Sequence, residues 1–335
     1  MSTVAILSPG FPLVPGGVTD HTARLKANWE AAGHNVRVIG DPAVGAEQLA
    51  RDLRQDGVAA VLIQYVPFLY GRRGVSSFPR TLARSAVRLG LRVTTFVHEP
   101  WVPPTRLPWL VLSPIQRRQL RNLMRASDTV VTAVPAWKQM LVADEIVHVG
   151  STLGEAPRPG QSELLEAAVV FSPFAAGLDW DWIAAAAAAL GNDLIVVGAS
   201  AVEMRTHPIV KRYARRSWEY LGRLPEHDVL IALAHARLIL APFVDGLTAR
   251  RTSAMAALST GARVLSNTGP LFDPMFWDSP VSIVTDKAEF VSSARELWAT
   301  DDTPAARDER LEWYRRTLDP KQLDARLLAL ILGTA

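Results

Sequence analysis

The chain has 335 residues, about half apolar and 21% charged, with a formal net charge of +3, so it is globular and too long for one ordinary core; two domains are expected. It contains no cysteine, which excludes disulfides and thiolate metal sites. No basic leader precedes the first apolar run, and the longest alanine-rich stretch, Trp182 to Leu190, is too short to cross a bilayer, so a cytoplasmic protein is expected.

In chain order, STVAIL (residues 2–7) reads as a buried strand, SPGFPLVPGG as a loop, and 18–32 as a helix closed by Gly33. Further strands are predicted at Val36–Ile39, Ala59–Tyr65, Arg92–Val97, Thr129–Thr132 and Ile146–Val149, with helices near 46–55, 76–89, 114–126 and 135–142. The segment STLGEAPRPGQS (151–162) reads as a linker. Beyond it, strands are predicted at Ala168–Phe171, Leu194–Val197, Trp218–Leu221, Leu238–Ala241, Arg263–Ser266 and Val281–Val284. Helices fall near 180–190, 203–214, 226–235, 248–260, 286–299, 304–316 and 320–332. Strand–helix alternation in both halves predicts an α/β fold of two Rossmann-like parallel-sheet domains, each presenting the carboxyl ends of its strands to a central cleft. The boundaries drawn are 1–152, 153–312 and a pair of C-terminal helices, 313–335, returning to the first domain.

The cations are mostly arginine and cluster at Arg72–Arg73, Arg117–Arg118–Arg121–Arg125, Arg212–Arg215–Arg216 and Arg250–Arg251. Arginine suits bidentate binding of phosphate and carboxylate. Gly16 and Gly17 stand just before a helix N-terminus, where backbone N–H groups favour an anion. The loop is neither GxGxxG nor a P-loop, so a dinucleotide or a triphosphate is not indicated.

Four segments carry a resemblance: SPGFPLVPGGVTDHT, LIQYVPFLYGRRG, RVTTFVHEPWVPP and LAPFVDGLTARRTSAMAALSTGARVLSNTG. In this order they resemble a bacterial glycosyltransferase of family 4, of the two-domain GT-B architecture. The resemblance implies a retaining, metal-independent transfer of a sugar from a nucleotide-sugar donor to an acceptor hydroxyl, with no resident cofactor. Without a metal, the charge growing on the departing diphosphate must be met by backbone N–H groups, a helix dipole and cationic side chains.

On this resemblance the donor diphosphate rests on Asp245, Gly246, Leu247 and Thr248, with Arg250 and Arg251 as partners and Thr248 capping the following helix. Gly16 and Gly17 approach the donor from the first domain. His98, at the end of a strand, is the first catalytic expectation; Glu99 either orients it or holds Pro100 to Pro104 in place, and Asp20, one turn into the helix, faces the acceptor as a catalytic candidate. His21, Tyr65, Tyr70, Arg72 and Arg73 are assigned to the acceptor, which is a carbohydrate, a lipid-linked molecule or a small molecule. The basic helix near 114–126 suggests peripheral contact with the inner membrane surface. No nucleic-acid module is recognised.

Two departures from the family pattern stand out. The second glutamate of a Glu-x7-Glu pair is replaced by Ser253 or Ala256, and no cation occurs from Val169 to Ala189, where an Arg and a Lys would clamp the diphosphate. Arg250, Arg251, Arg205 and Lys211 are the substitutes available. The departures keep a catalytically silent binding or scaffold protein open as an alternative, with a sugar-nucleotide epimerase behind it.

Overall fold

The computed structural model describes residues 2–14, 16–154, 165–172, 177–191, 193–208 and 210–334. The chain divides into two compact units, residues 1–149 with 320–335 and residues 150–319. Most of the expected linker, from 155 onward, lies outside the described residues.

The first unit contains β1 (Thr3–Leu7), α1 (Gly17–Ala31), β2 (Asn35–Ile39), α2 (Ala46–Gln55), β3 (Val58–Tyr65), α3 (Phe78–Arg88), β4 (Arg92–Val97), α4 (Leu107–Met124), β5 (Thr129–Thr132), α5 (Pro135–Leu141) and β6 (Glu145–Ile146). Its strands pair in parallel in the order β2-β1-β3-β4-β5-β6. Alternate strand residues feed two cores. Ala5, Leu7, Val61 and Ile63 pack with Leu49, Leu53, Leu82 and Leu120 of α2, α3 and α4. Val4, Ile6, Leu62 and Phe96 pack on the opposite face with Leu25 and Trp29 of α1.

A distant helix completes that second core. The helix at Pro320–Leu332, numbered α12 because six others precede it in the second unit, buries Leu327, Leu328 and Ile331 there. Its Asp324 carboxylate, only 2% exposed, accepts from Arg24 at 2.7 Å and from Asn28 at 2.7 Å, and the Asp324 carbonyl accepts from the Trp29 indole at 2.9 Å. The buried charge is therefore paired and hydrogen-bonded, as burial requires.

The second unit contains β7 (Leu165–Phe171), α6 (Trp180–Ala189), β8 (Leu194–Val197), α7 (Ala201–Thr206), β9 (Glu219–Gly222), α8 (Glu226–Ala234), β10 (Ala236–Leu240), α9 (Thr252–Ser259), β11 (Val264–Asn267), β12 (Ser282–Val284), α10 (Lys287–Ala299) and α11 (Pro304–Leu318). The sheet is again parallel, ordered β12-β11-β10-β7-β8-β9. Asp302, buried, ties α11 down by accepting from Arg307 at 2.8 Å and from Arg310, whose Nε also donates to Gly261 O at 2.8 Å.

The structure corrects several expected elements. The helix expected over 203–214 is only α7: Pro208 has no N–H, and it forces His207 out of the helical region, to φ −66° and ψ 126°. The strand expected at Ile146–Val149 reduces to Glu145–Ile146. The helix expected from 114 begins seven residues earlier, at Leu107, and carries Pro114 inside it. Residues 313–318 belong to α11 and the second unit, so only α12 returns to the first.

Candidate functional site

Each sheet has one topological switch, where neighbouring strands run off in opposite directions, and open α/β sheets bind ligands beyond the carboxyl ends of the strands there. In the first unit the switch lies between β1 and β3, and in the second between β7 and β10.

At the first switch, Gly16 caps α1 and Gly17 is its first residue, with no side chain capping the helix. Asp20 lies exposed in the first turn. His21 faces inward and is 1% exposed, edge-on to Phe96 and to His98, each at 5.4 Å between ring centroids. Burial, with Arg24 and His98 nearby, pushes the His21 pKa well below its ordinary value, so its ring is neutral at neutral pH. His98 follows β4, stacks on Phe96 at 4.5 Å, and shares a 2.5 Å hydrogen bond between Nε2 and the Gln64 Oε1 of β3. Its backbone N–H donates to Tyr65 O at 3.0 Å, extending the β3–β4 ladder by one rung. Glu99 is exposed beyond it.

Tyr65 and Tyr70 do not stand free for an acceptor. Tyr65 is the last residue of β3, fully buried, and Tyr70 stacks on it with centroids 6.1 Å apart. Gln119 donates to the Tyr65 hydroxyl at 3.2 Å, and the Tyr70 hydroxyl donates to Gln64 O at 2.8 Å. Desolvation raises the Tyr65 pKa to about 12 and drives that of Tyr70 upward as well. The aromatic character read as acceptor-binding is core packing. Of the residues assigned to this loop, Arg72 and Arg73 are exposed. The loop itself is rigidly held: Gln116 Nε2 donates to Arg73 O at 3.1 Å, Ser76 N donates to Gln119 Oε1 at 2.7 Å, and Gly74 has φ +66° with the Gln116 amide where a Cβ would stand.

At the second switch, the loops after β7 and β10 are pinned together. Asp179 N donates to Pro242 O at 2.8 Å and Val244 N to Gly177 O at 3.1 Å. Asp245 follows and accepts from both Arg250 (2.5 Å) and Arg251. The Arg251 guanidinium also lies over the Phe243 ring at 4.8 Å and against Gly177, where a Cβ would meet Nη1 at 2.8 Å. Gly246, at φ +87°, lets the loop touch the one after β11: a Cβ there would stand 2.6 Å from Gly269 N.

Two expectations change here. The N–H of Gly246 donates to Phe243 O and that of Leu247 to Asn267 O, both at 3.0 Å, so these donors brace the loop from within. Leu247 turns its side chain into the core. Thr248 does not cap a helix: α9 begins at Thr252 with Arg251 at its N-cap, and the Thr248 hydroxyl is buried without a partner. The cationic side chains at this loop are Arg250 and Arg251. Arg205 and Lys211, the other substitutes weighed, are exposed, Arg205 on α7 and Lys211 beyond it.

No protein-family model and no curated protein matches the sequence. Solved structures do. AviGT4, a glycosyltransferase involved in avilamycin A biosynthesis, matches with a TM-score of 0.61 at 17% identity, over 100% of this chain and 99% of its own. WaaG, a glycosyltransferase involved in lipopolysaccharide biosynthesis, matches at 0.63 and 14%, over 99% and 100%. The fold is GT-B. A putative UDP-N-acetylglucosamine 2-epimerase from Listeria monocytogenes also shares it, at 0.60 and 9% identity, over 98% and 95%. The GT-B fold therefore accommodates more than one chemistry.

Gln64, Asn267 and Gly269 complete the two switches but were not among the site residues expected from sequence. Asn267 receives Phe243 N at 2.6 Å and donates to Phe243 O and Thr268 O. For Gln64 and Asn267 a signal is present: a polar side chain near the carboxyl end of a buried strand, Gln64 in VAAVLIQY and Asn267 in VLSN. Among the described residues no three His, Asp or Glu side chains gather as a metal site, and no helix is long and apolar enough to cross a membrane.

Proposed function

We propose that this protein is a glycosyltransferase that moves a sugar from a nucleotide-sugar donor to an acceptor hydroxyl, retaining anomeric configuration and using no metal. The carrying observation is the guanidinium pair at the second switch, with Arg251 laid across Gly177 on the loop after β7. That is the loop where the sequence lacks the family's clamp, and Arg251 reaches it from the β10 side. Asp245 holds both cations in place until a diphosphate, carrying more charge, takes them over. As the glycosidic bond breaks, the same two cations meet the charge growing on the leaving phosphate. The first unit takes the acceptor, with His98, Glu99 and Asp20 as its polar groups.

Calorimetry with UDP-, GDP-, ADP- and dTDP-sugars tests this reading on wild type and on Arg250→Ala/Arg251→Ala. Binding of one donor class, lost in the double variant, with transfer to an acceptor, supports it. No binding by the folded protein supports the silent alternative, and isomerised donor without any acceptor supports the epimerase.

We also propose that the acceptor is presented at a membrane, which fits the lipopolysaccharide pathway of WaaG. The outer stripe of α4 is apolar at its start, with Leu107 80% and Val111 64% exposed beside Leu110 and Ile115. It then turns basic, where Arg117, Arg118, Arg121 and Arg125 line an open groove of about 440 Å³. Apolar insertion followed by arginines suits an anionic interface. Flotation with vesicles should show binding to anionic but not zwitterionic lipid, lost in Leu110→Ser/Val111→Ser. Equal affinity for both lipids overturns it.

A further inference from the structure

Gln64 is an anomaly in β3. The strand is otherwise apolar or aromatic, yet a fully buried carboxamide stands in it, and its Nε2 finds no partner. An unsatisfied buried donor is destabilising, so a leucine here would stabilise the core better. The compensating contact is on Oε1, which meets His98 Nε2 at 2.5 Å. Register explains the meeting: Gln64 pairs with Phe96 across β3 and β4, and His98, two residues on, falls on the same face of the sheet. Phe96 stacks beneath the His98 ring and His21 closes its edge, so the ring is held on two sides by neighbours that are themselves buried.

We propose that Gln64 is the positioning residue of His98: its Oε1 accepts the Nε2–H, locking the imidazole in that tautomer and plane and making Nδ1 the unprotonated nitrogen. A carboxamide oxygen cannot accept from a bare lone pair, so this orientation of the amide dictates which ring nitrogen bears the proton. The tautomer rests on the orientation of the Gln64 amide, not on the transferase reading. Its consequence for turnover rests on the transferase reading above.

The test is nitrogen-15 NMR of the imidazoles in the full-length protein, with His98 assigned by its loss in His98→Gln. Wild type should show a protonated Nε2 and an unprotonated Nδ1 on His98. Gln64→Met, close to Gln in volume but without the acceptor, should give a mixture of tautomers, and Gln64→Glu should restore the Nε2–H form and move the His98 titration to higher pH. A Nδ1–H form in wild type, or an unchanged tautomer in Gln64→Met, overturns the proposal; the wild-type measurement decides even if a variant fails to fold. In turnover, Gln64→Met should lower kcat roughly tenfold, as loss of a histidine's orienting partner does elsewhere, with KM little changed. A tautomer that depends on Gln64 in a protein that transfers no sugar keeps the positioning role and removes the transferase reading.

Discussion

At the first switch stand a helix N-terminus capped by Gly16, an amide and the rings of His98 and Phe96, with His21 neutral behind them and the Asp20 and Glu99 carboxylates exposed beside them. At the second stand Asp245, Arg250 and Arg251, a carboxylate shared by two guanidiniums. The same architectural position is thus furnished once with directional hydrogen-bonding groups and once with paired cations. On the proposed transferase reading, sugar hydroxyls would meet the former, since neutral donors and acceptors discriminate geometry without attracting ions. On the same reading a diphosphate would meet the latter. The division of labour follows from side-chain chemistry, because the strand geometry beneath is alike.

The comparison can be broken hardest through stability. Asp324 is a buried anion holding α12 on the first unit. Asp324→Ala leaves Arg24 without its buried partner and should cost about 3–5 kcal/mol. Hydrogen exchange read by segment should show residues 1–149 and 320–334 losing protection while 165–319 stays unchanged. Equal loss in both units would mean that they do not fold as separate bodies.

Next in size is the ionic switch. Each charge-assisted hydrogen bond is worth about 1.5–3 kcal/mol, so Arg250→Ala/Arg251→Ala should weaken nucleoside diphosphate binding by roughly 100-fold or more. His98→Ala should leave that affinity nearly intact, since His98 makes none of the guanidinium contacts at the second switch. An equal loss in the two variants would erase the distinction drawn between the switches.

How far the sequence reveals this depends on the range of the interaction. Strands Arg92–Val97, Thr129–Thr132 and Leu194–Val197 are read to the residue, because a buried parallel strand is a local run of apolar, β-branched residues. The places of His98 and Asp245 in the chain are legible for the same reason, each following such a run; their roles are not. Tyr65 is not: aromatic residues serve cores and ligands alike, and only the packing of Tyr70 and Gln119 decides. The partners of Asp245 could be any of several arginines, and the placing of Arg251 on Gly177 joins residues 74 apart, by subtraction of their numbers. The helix expected over 203–214 ends at Thr206 because Pro208 breaks it, a local signal that the sequence carries.

The smallest effect sharpens the comparison through pH. His21 is neutral in the folded protein because its pKa is lowered by burial first, and by Arg24 and His98 second. In the unfolded chain it titrates near the ordinary 6.5. Below that pH the unfolded state binds a proton that the folded state refuses, so the unfolded state gains stability as pH falls. The contribution of His21 is therefore fully present above pH ~6.5 and is lost progressively toward the depressed folded value. The steepest slope one such group gives is about 1.4 kcal/mol per pH unit. His21→Phe keeps a ring against Phe96 and removes the proton, so the slope of first-unit stability between pH ~6.5 and ~5 should flatten by up to that amount. Denaturant titrations at several pH values measure it, and the slopes matter rather than the absolute stabilities, which also carry the altered packing. An unchanged slope would mean that His21 takes up its proton as readily in the folded protein as in the unfolded chain, adding a cation to the first switch at low pH.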